Sequence, residues 1–187
     1  MRRLGREFWL QPTLKVAWAL LGEYLVRKDG RQGLIGKIVE TEAYLGPRDR
    51  ASHSFGGKVT KRNQAEYLIG GHVYIYLVYG MYWQLNITTA ESGKPECVLI
   101  RALEPIKNGS GKIANGPGKL CRWLKLGKWC YGLDTVTSEL LWVEDWGEKI
   151  KKSQIIAAKR VGIDYAGEWA TKKWRFYLKD NPFVSRK

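Results

Sequence analysis

Apolar positions recur along this chain with two different periods. Leu14, Ala17, Trp18 and Leu21 fall at i, i+3, i+4 and i+7, with Pro12 ahead of them and Gly22 behind. That spacing predicts a short helix with one apolar face, opened by a proline and closed by a glycine. Beyond Gly22 the period shortens to two. Residues 24–27 and 34–39 read as strands, and Asp29-Gly30 between them predicts a hairpin turn. With the second strand carried on to Tyr44, Glu40, Glu42 and Tyr44 share one face, and Thr41 and Ala43 the other. Further strands are expected over 73–78, 83–89, 97–104, 139–143 and 155–161, with a short helix over 119–124. Pro95 and Pro105 bound the strand 97–104, and a charged turn at 148–152 separates the last two. Residues 169–178 are amphipathic and basic, with aromatics to pack and cations to meet an anion. Residues 46–72 and the Gly/Asn stretch 108–118 lack either period and read as loops.

No repeat, low-complexity tract or linker interrupts this pattern. The expectation is one α+β domain over residues 1–187, strand-rich, with an antiparallel sheet and short helices. The hydrophobic fraction of 44% and nine tryptophans exclude a disordered chain. Cys97, Cys121 and Cys130 form no CxxC pair, and His53 and His72 are the only histidines, so the spacing offers no zinc set. Buried, reduced thiols are expected instead. No stretch approaches the roughly 20 apolar residues of a membrane span. Glu7 and Gln11 follow Arg2-Arg3 where an export signal would need an apolar core. A cytoplasmic protein is expected, nucleoid-associated in a prokaryote or nuclear in a eukaryote.

Charge changes the picture more than composition does. The net charge of +14 calls for an anionic partner, nucleic acid first and an anionic membrane surface second. An aromatic content of 12% favours a protein that grips bases as well as phosphates. In the loop 46–72, Arg48, Arg50, Lys58, Lys61 and Arg62 are interleaved with small polar residues, which suits phosphate contact or simply a solvated loop. The tip between the strands 73–78 and 83–89 carries Tyr79, Gly80, Met81 and Tyr82, although hairpin tips are normally polar. It is either a wedge pushed between base pairs from the minor groove or a segment folded back into the core. Gly116-Pro117-Gly118-Lys119 could turn amides toward a phosphate, but it lacks the full phosphate-loop pattern. Arg101 interrupts an apolar strand and needs an acidic partner, for which Glu42 and Glu104 are the candidates. Glu40, Glu42 and His53 among tyrosines suggest a catalytic pocket lined with rings, against the alternative of a strand salt bridge and a loop histidine.

Three long blocks carry a resemblance. They are Glu40-Thr41-Glu42-Ala43-Tyr44-Leu45-Gly46-Pro47 with His53, Tyr74-Ile75-Tyr76-Leu77-Val78-Tyr79-Gly80-Met81-Tyr82 with Asn86, and Val98-Leu99-Ile100-Arg101-Ala102-Leu103-Glu104-Pro105. Shorter ones lie at 115–121, 160–163, 166–169, 175–177 and 181–185, in order over nearly the whole chain. In these blocks the sequence resembles the alkyladenine (3-methyladenine) DNA glycosylase family. The resemblance implies a protruding β-hairpin, no metal or cofactor, and hydrolysis of the N-glycosidic bond of a damaged purine flipped out of double-stranded DNA. Glu42 matches the family's general base, and Arg101 a residue that holds the nucleophilic water with it. Tyr44, His53 and Tyr76 match the rings that sandwich the base, and Asn86 a floor residue that disfavours the guanine amino group. Tyr79 matches the side chain that fills the gap in the stack, with Met81 and Tyr82 beside it.

On this reading the chain is a monofunctional base-excision-repair enzyme and a monomer, acting from the minor groove. 3-Methyladenine, hypoxanthine and etheno-adenine would all fit a flat aromatic slot. No lysine sits in the pocket blocks to form a Schiff base. Two rivals stand beside it: a binding module without catalysis, and a hydrolase using Glu40 and Glu42 as a pair ~6–7 Å apart on one strand face. Trp83-Gln84 departs from the family pattern, and Trp83 either narrows the pocket or packs behind it.

Overall fold

In the computed structural model the elements follow in the order β1 (Arg2–Arg3), α1 (Arg6–Trp9), α2 (Thr13–Ala19), β2 (Tyr24–Asp29), β3 (Gln32–Tyr44), β4 (Val73–Val78), β5 (Tyr82–Thr89), β6 (Glu96–Lys107), α3 (Pro117–Trp123), β7 (Leu141–Asp145), β8 (Ile155–Ala158) and β9 (Arg175–Leu178). The structure describes residues 1–30, 32–108 and 113–186; part of the Gly/Asn loop expected over 108–118 lies outside the described residues. Among those described, nine strands form one sheet in the order β1-β7-β2-β3-β6-β5-β4, with β9 added to β3 and β8 to β9. Every ladder is antiparallel. The class is the α+β arrangement that the pattern predicts.

β3 carries the architecture because three strands hydrogen-bond to it. β6 lines one edge from Ile35 to Tyr44, while β2 takes residues 32–37 of the other edge and β9 takes 40–42. Residues 40–42 are therefore hydrogen-bonded on both sides. The β3–β6 ladder also contains three register irregularities, of which the two flanking Glu40 compensate each other. Ile38 lies opposite Leu103, Glu40 opposite Ala102 and Thr41 opposite Ile100. Val39 thus has no partner on β6, and Arg101 none on β3. Bulges of this kind turn side chains out of strict alternation.

Ile38, Leu85, Ile87, Ile100, Leu103, Leu120 and Leu124 are buried to 2% exposure or less and belong to one core. α2 packs over β3 and β6, and α3 over β5 and β6. The helix expected around Leu14 forms, but it buries Thr13, Val16, Ala17 and Leu20, leaving Leu14 and Trp18 half-buried. Polar docking sets that rotation: the Thr41 hydroxyl donates to the Ala17 carbonyl at 2.7 Å, and Thr13 bonds Thr89 at 2.7 Å. Trp18 instead meets Phe176 edge-on, 5.5 Å between ring centres.

Several boundaries differ from the sequence pattern, among them the strand expected at 155–161, which ends at Ala158, ahead of Arg160. β6 runs through Pro105, which faces Gly36 at a register irregularity where a missing N–H breaks no regular ladder. The strand expected at 139–143 begins at Leu141 and joins β2 and β1, while β8 joins β9. Within 169–178, short 3-10 turns give way to β9, and Arg175 is buried rather than free for an anion, while Lys172 and Lys173 are exposed. The segments β1 and α1 carry too few residues for a period to register. Cys97, Cys121 and Cys130 are free and buried.

Ile38 is fully buried at the crossing of β2, β3 and β6. Ile38→Ala should lower unfolding free energy by ~2–5 kcal/mol, read as a lower urea midpoint with an unchanged slope.

Candidate active site

The two carboxylates of β3 meet Arg101, as their shared face allows, but they do not play equal parts. Glu40 Oε1 accepts from Arg101 Nε at 3.1 Å and Arg175 Nη1 at 2.8 Å, and Oε2 accepts from the Ser185 backbone N–H at 2.7 Å. Glu42 Oε1 accepts from the Val161 N–H at 2.8 Å and lies 3.3 Å from Arg101 Nη1. Its Oε2 accepts from the Tyr44 hydroxyl at 2.8 Å. Both carboxylates are at 0% exposure. Burial pushes the Glu42 carboxyl above the usual carboxylate range, against the pull of Arg101, the Val161 amide and the Tyr44 hydroxyl. Glu104 is not the partner of Arg101. It sits opposite Lys37 in the ladder, lies 3.3 Å from Lys37 Nζ and accepts from Asn181 at 2.9 Å.

A cavity of about 420 Å³ opens beside this cluster, within the ~300–1,000 Å³ range of small-molecule sites. Tyr44, His53, Tyr76 and Asn86 line it together with Arg101, Val161, Tyr74, Gln84, Cys97 and Glu66. Glu42 is one layer behind the wall, in contact with three groups that form it: Tyr44, Arg101 and Val161. Among the described residues no lysine lines the cavity, and no three His, Cys, Asp or Glu side chains are grouped to hold a metal ion.

Each ring of the wall is held from behind. The Arg160 guanidinium lies 4.8 Å above the Tyr44 ring and 5.1 Å from the Trp174 ring. It is fixed there by Asp49, whose oxygens accept from Nη1 at 2.5 Å and Nη2 at 2.9 Å, and by the Ala43 carbonyl at 2.9 Å. His53 Nδ1 and the Tyr74 hydroxyl are 2.6 Å apart, and the imidazole meets Tyr76 edge-on at 4.5 Å. His53 is exposed at the mouth yet crowded by these neighbours; desolvation and the nearby Arg62 guanidinium lower its pKa to about 4. The ring is therefore neutral at ordinary pH. Asn86 Nδ2 donates to the Tyr74 and Gln84 carbonyls at 3.2 Å each, which fixes the amide at the floor.

The hairpin tip does not fold back. Tyr79 is 86% exposed and Met81 64%, with Tyr82 also exposed. Tyr79 has φ 50° and Gly80 φ 67°, and the Met81 N–H donates to the Val78 carbonyl at 3.1 Å. Positive φ at both central residues gives the tight turn that suits twisted strands, and it is costly for a tyrosine. Gly118 supports the tip: a Cβ there would come within 3.0 Å of the Tyr82 ring. Alternation along β5 sends Gln84 and Asn86 to the cavity, so Trp83 packs behind it against the core and near Gly127.

The pattern of the sequence missed Tyr74, Gln84 and Glu66 as wall residues, and the Asp49–Arg160 clamp. Tyr74 shares the alternation of Tyr76 and was open to discovery. Asp49 and Arg160 are 111 residues apart, and no local signal joins them. Asp49→Ala would leave the Arg160 charge buried without its partner, and should cost ~3–5 kcal/mol in denaturant unfolding. Tyr44 would lose its support in the same step.

Comparison with known proteins gives the family. A family model described as methylpurine-DNA glycosylase (MPG) matches residues 7–182. A protein of Clostridium perfringens (strain SM101 / Type A), named "Putative 3-methyladenine DNA glycosylase", is 44% identical over 99% of this chain and 100% of its own length. Proteins of the same name from Borrelia garinii subsp. bavariensis and Natranaerobius thermophilus are 43% and 40% identical, each over 98% of this chain and 100% and 98% of their own lengths. The chain belongs to the methylpurine-DNA glycosylase family.

Proposed function

We propose that this protein is a base-excision-repair DNA glycosylase that hydrolyses the N-glycosidic bond of alkylated purines such as 3-methyladenine, flipped from duplex DNA into the ring-lined cavity. The observation that carries this reading is the Glu42–Arg101 pair set directly behind that cavity, at the foot of an exposed aromatic hairpin. A base within a duplex cannot be reached at C1′, so the cost of unstacking must be offset by contacts in the pocket and by a plug. Tyr44, His53 and Tyr76 supply the stacking faces, and a neutral His53 does not repel a cationic alkylated purine. Asn86, fixed by two carbonyls, forms the floor that disfavours the guanine amino group. Tyr79 fills the gap in the stack from the minor groove, with Met81 and Tyr82 against the neighbouring bases.

In the bond-breaking step the electron pair of the C1′–N bond leaves with the purine, and positive charge develops on the sugar. Glu42 stabilises that charge and takes a proton from the water that adds to C1′. Arg101 pulls the Glu42 carboxyl toward its anionic form against the opposing effect of burial, and holds it in place. Among the described residues no lysine stands on the cavity wall, which supports water as the nucleophile of a monofunctional enzyme. The net charge of +14, with Arg48, Arg50, Lys58, Lys61 and Arg62 exposed, supports phosphate contact by a single-domain monomer on duplex DNA. Neutral lesions such as hypoxanthine and etheno-adenine fit the same slot. A paired-carboxylate mechanism is disfavoured, because Glu40 is held by Arg175 and the Ser185 amide, which do not line the cavity, whereas the partners of Glu42 do.

In single-turnover release of free base from N-methylated duplex DNA, Glu42→Gln should be at least ~100-fold slower while still binding the duplex. Release at the wild-type rate would remove Glu42 from the mechanism, and no release by either protein would leave only a DNA-binding wedge. The working form of Glu42 is the carboxylate, and its pKa is raised. The rate should therefore fall toward acid along a limb lying above the ~4.3 of a free glutamate. Tyr79→Ala should weaken binding to lesion-containing duplex by ~1–3 kcal/mol, measured by titration at fixed salt.

A further inference from the structure

One buried carboxyl on the cavity wall has no part in the chemistry above. Glu66 sits in the turn Gln64–Tyr67, is 2% exposed, and lines the same cavity as Tyr44, His53 and Asn86. Its Oε1 lies 4.0 Å from Cys97 Sγ, and its Oε2 has no hydrogen-bond partner. Glu40, Glu42 and Asp49 are as deeply buried, and each is met by an arginine. Among the described residues no ion pair involves Glu66. A buried carboxylate with no cation and with one oxygen left without a donor is expensive, and the group avoids that expense by holding its proton. A protonated carboxyl then carries one O–H that needs an acceptor. The protein supplies none at Oε2, which is itself shielded from solvent, so a purine pressed against the Glu66 part of the cavity wall would bring the missing acceptor as a ring-nitrogen lone pair.

We propose that Glu66 is the proton donor to the leaving base, and that it extends this glycosylase from cationic alkylated purines to neutral ones such as hypoxanthine. The inference rests on the reading of the cavity as the site of the flipped base. An N-alkylated purine is already cationic and departs neutral, so it needs no acid. A neutral purine would depart as an anion unless a proton reaches it. As the C1′–N9 bond breaks and its electron pair passes to the purine, the Glu66 O–H proton moves to a ring nitrogen and leaves Glu66 as a carboxylate. Water adds its hydroxyl to C1′ and gives its proton to Glu42. Glu42 then releases that proton to solvent and Glu66 recovers one, so the cycle closes without any other reactant.

Burial lifts the Glu66 pKa to about 8, with the Ser54 hydroxyl and Asn63 amide opposing. The other titratable groups against it are Cys97 on β6, Tyr74 and Tyr76 on β4, and Tyr67 on its own turn, with Arg62 on the cavity wall. Burial pushes the Cys97 thiol and all three hydroxyls upward, and His53, bonded to Tyr74, titrates near 4. An alkaline limb near pH 8 would therefore belong to Glu66.

The test is single-turnover base release from two duplexes, one carrying an N-methylated purine and one hypoxanthine, by wild type and Glu66→Gln across pH 5–10. Glutamine keeps the shape and can donate a hydrogen bond, but it cannot transfer a proton. The expected result is that wild type releases both bases and that its hypoxanthine rate falls above about pH 8. In Glu66→Gln the ratio of hypoxanthine to methylpurine release drops at least ~30-fold, and the alkaline limb is lost. An unchanged ratio in the variant overturns the proposal, whether both rates fall together or neither moves. If wild type releases the methylated base but never hypoxanthine, the proposal fails while the glycosylase reading stands. If wild type releases neither, the reading of the cavity fails with it.

Discussion

The structure depends on how charge is buried at the centre of its sheet. Glu40 and Glu42 enter the interior because β3 is paired on both edges there, and two full negative charges in that position demand cations. Arg101 from β6 and Arg175 from β9 supply them, so the same strands that close the backbone ladder also neutralise it. The bulge at Arg101 is the local device. It releases that residue from the ladder and lets one guanidinium reach both carboxylates. The division of labour follows from the remaining partners. Glu40 is saturated and structural, while Glu42 keeps contacts that lead through Tyr44, Arg101 and Val161 to the cavity.

A second buried pair gives the cavity its rigidity. Arg160 and Asp49 bind each other where solvent does not reach, and the guanidinium then serves as a platform for the Tyr44 ring. On the proposed reading Tyr44 stacks on the flipped base, and a clamped ring loses no side-chain freedom when it does so. The exposed hairpin has the opposite logic. Tyr79 holds a backbone conformation that tyrosine disfavours and exposes its ring to water, a combination that stability alone does not explain. On the proposed reading the ring meets DNA, the positive charge draws the duplex in without regard to sequence, and selection falls to the cavity.

Much of this was legible in the residues. The period of two through 34–44 located the central strand and put Glu40, Glu42 and Tyr44 on one face. The polar-to-aromatic reversal at 79–82 marked the tip, and the alternation on either side of it gave the strands. Arg101, a charge in an apolar run, announced a buried partner, although Glu104 was as good a candidate as Glu42 until the register put Glu104 opposite Lys37. A reactive Glu40–Glu42 pair stands as a rival in the sequence because the partners of Glu40 on β9 and at Ser185 are remote along the chain. The rotation of α2 away from the Leu14/Trp18 face was hidden for a related reason, since two threonine hydroxyls on other elements decide it.

What the sequence determined by itself was most of the strands, the family to which the chain belongs and three of the rings on the cavity wall, Tyr44, His53 and Tyr76, because these follow from local periodicity and contiguous blocks. What only the tertiary structure decided was the state of each charged group. Pairing across more than a hundred residues settles whether a carboxylate meets an arginine, an amide or nothing. Glu40, Glu42 and Glu66 are the same residue in composition, and the solvent and partners that the fold gives them make them a brace, a neighbour of the cavity wall and an unpaired acid.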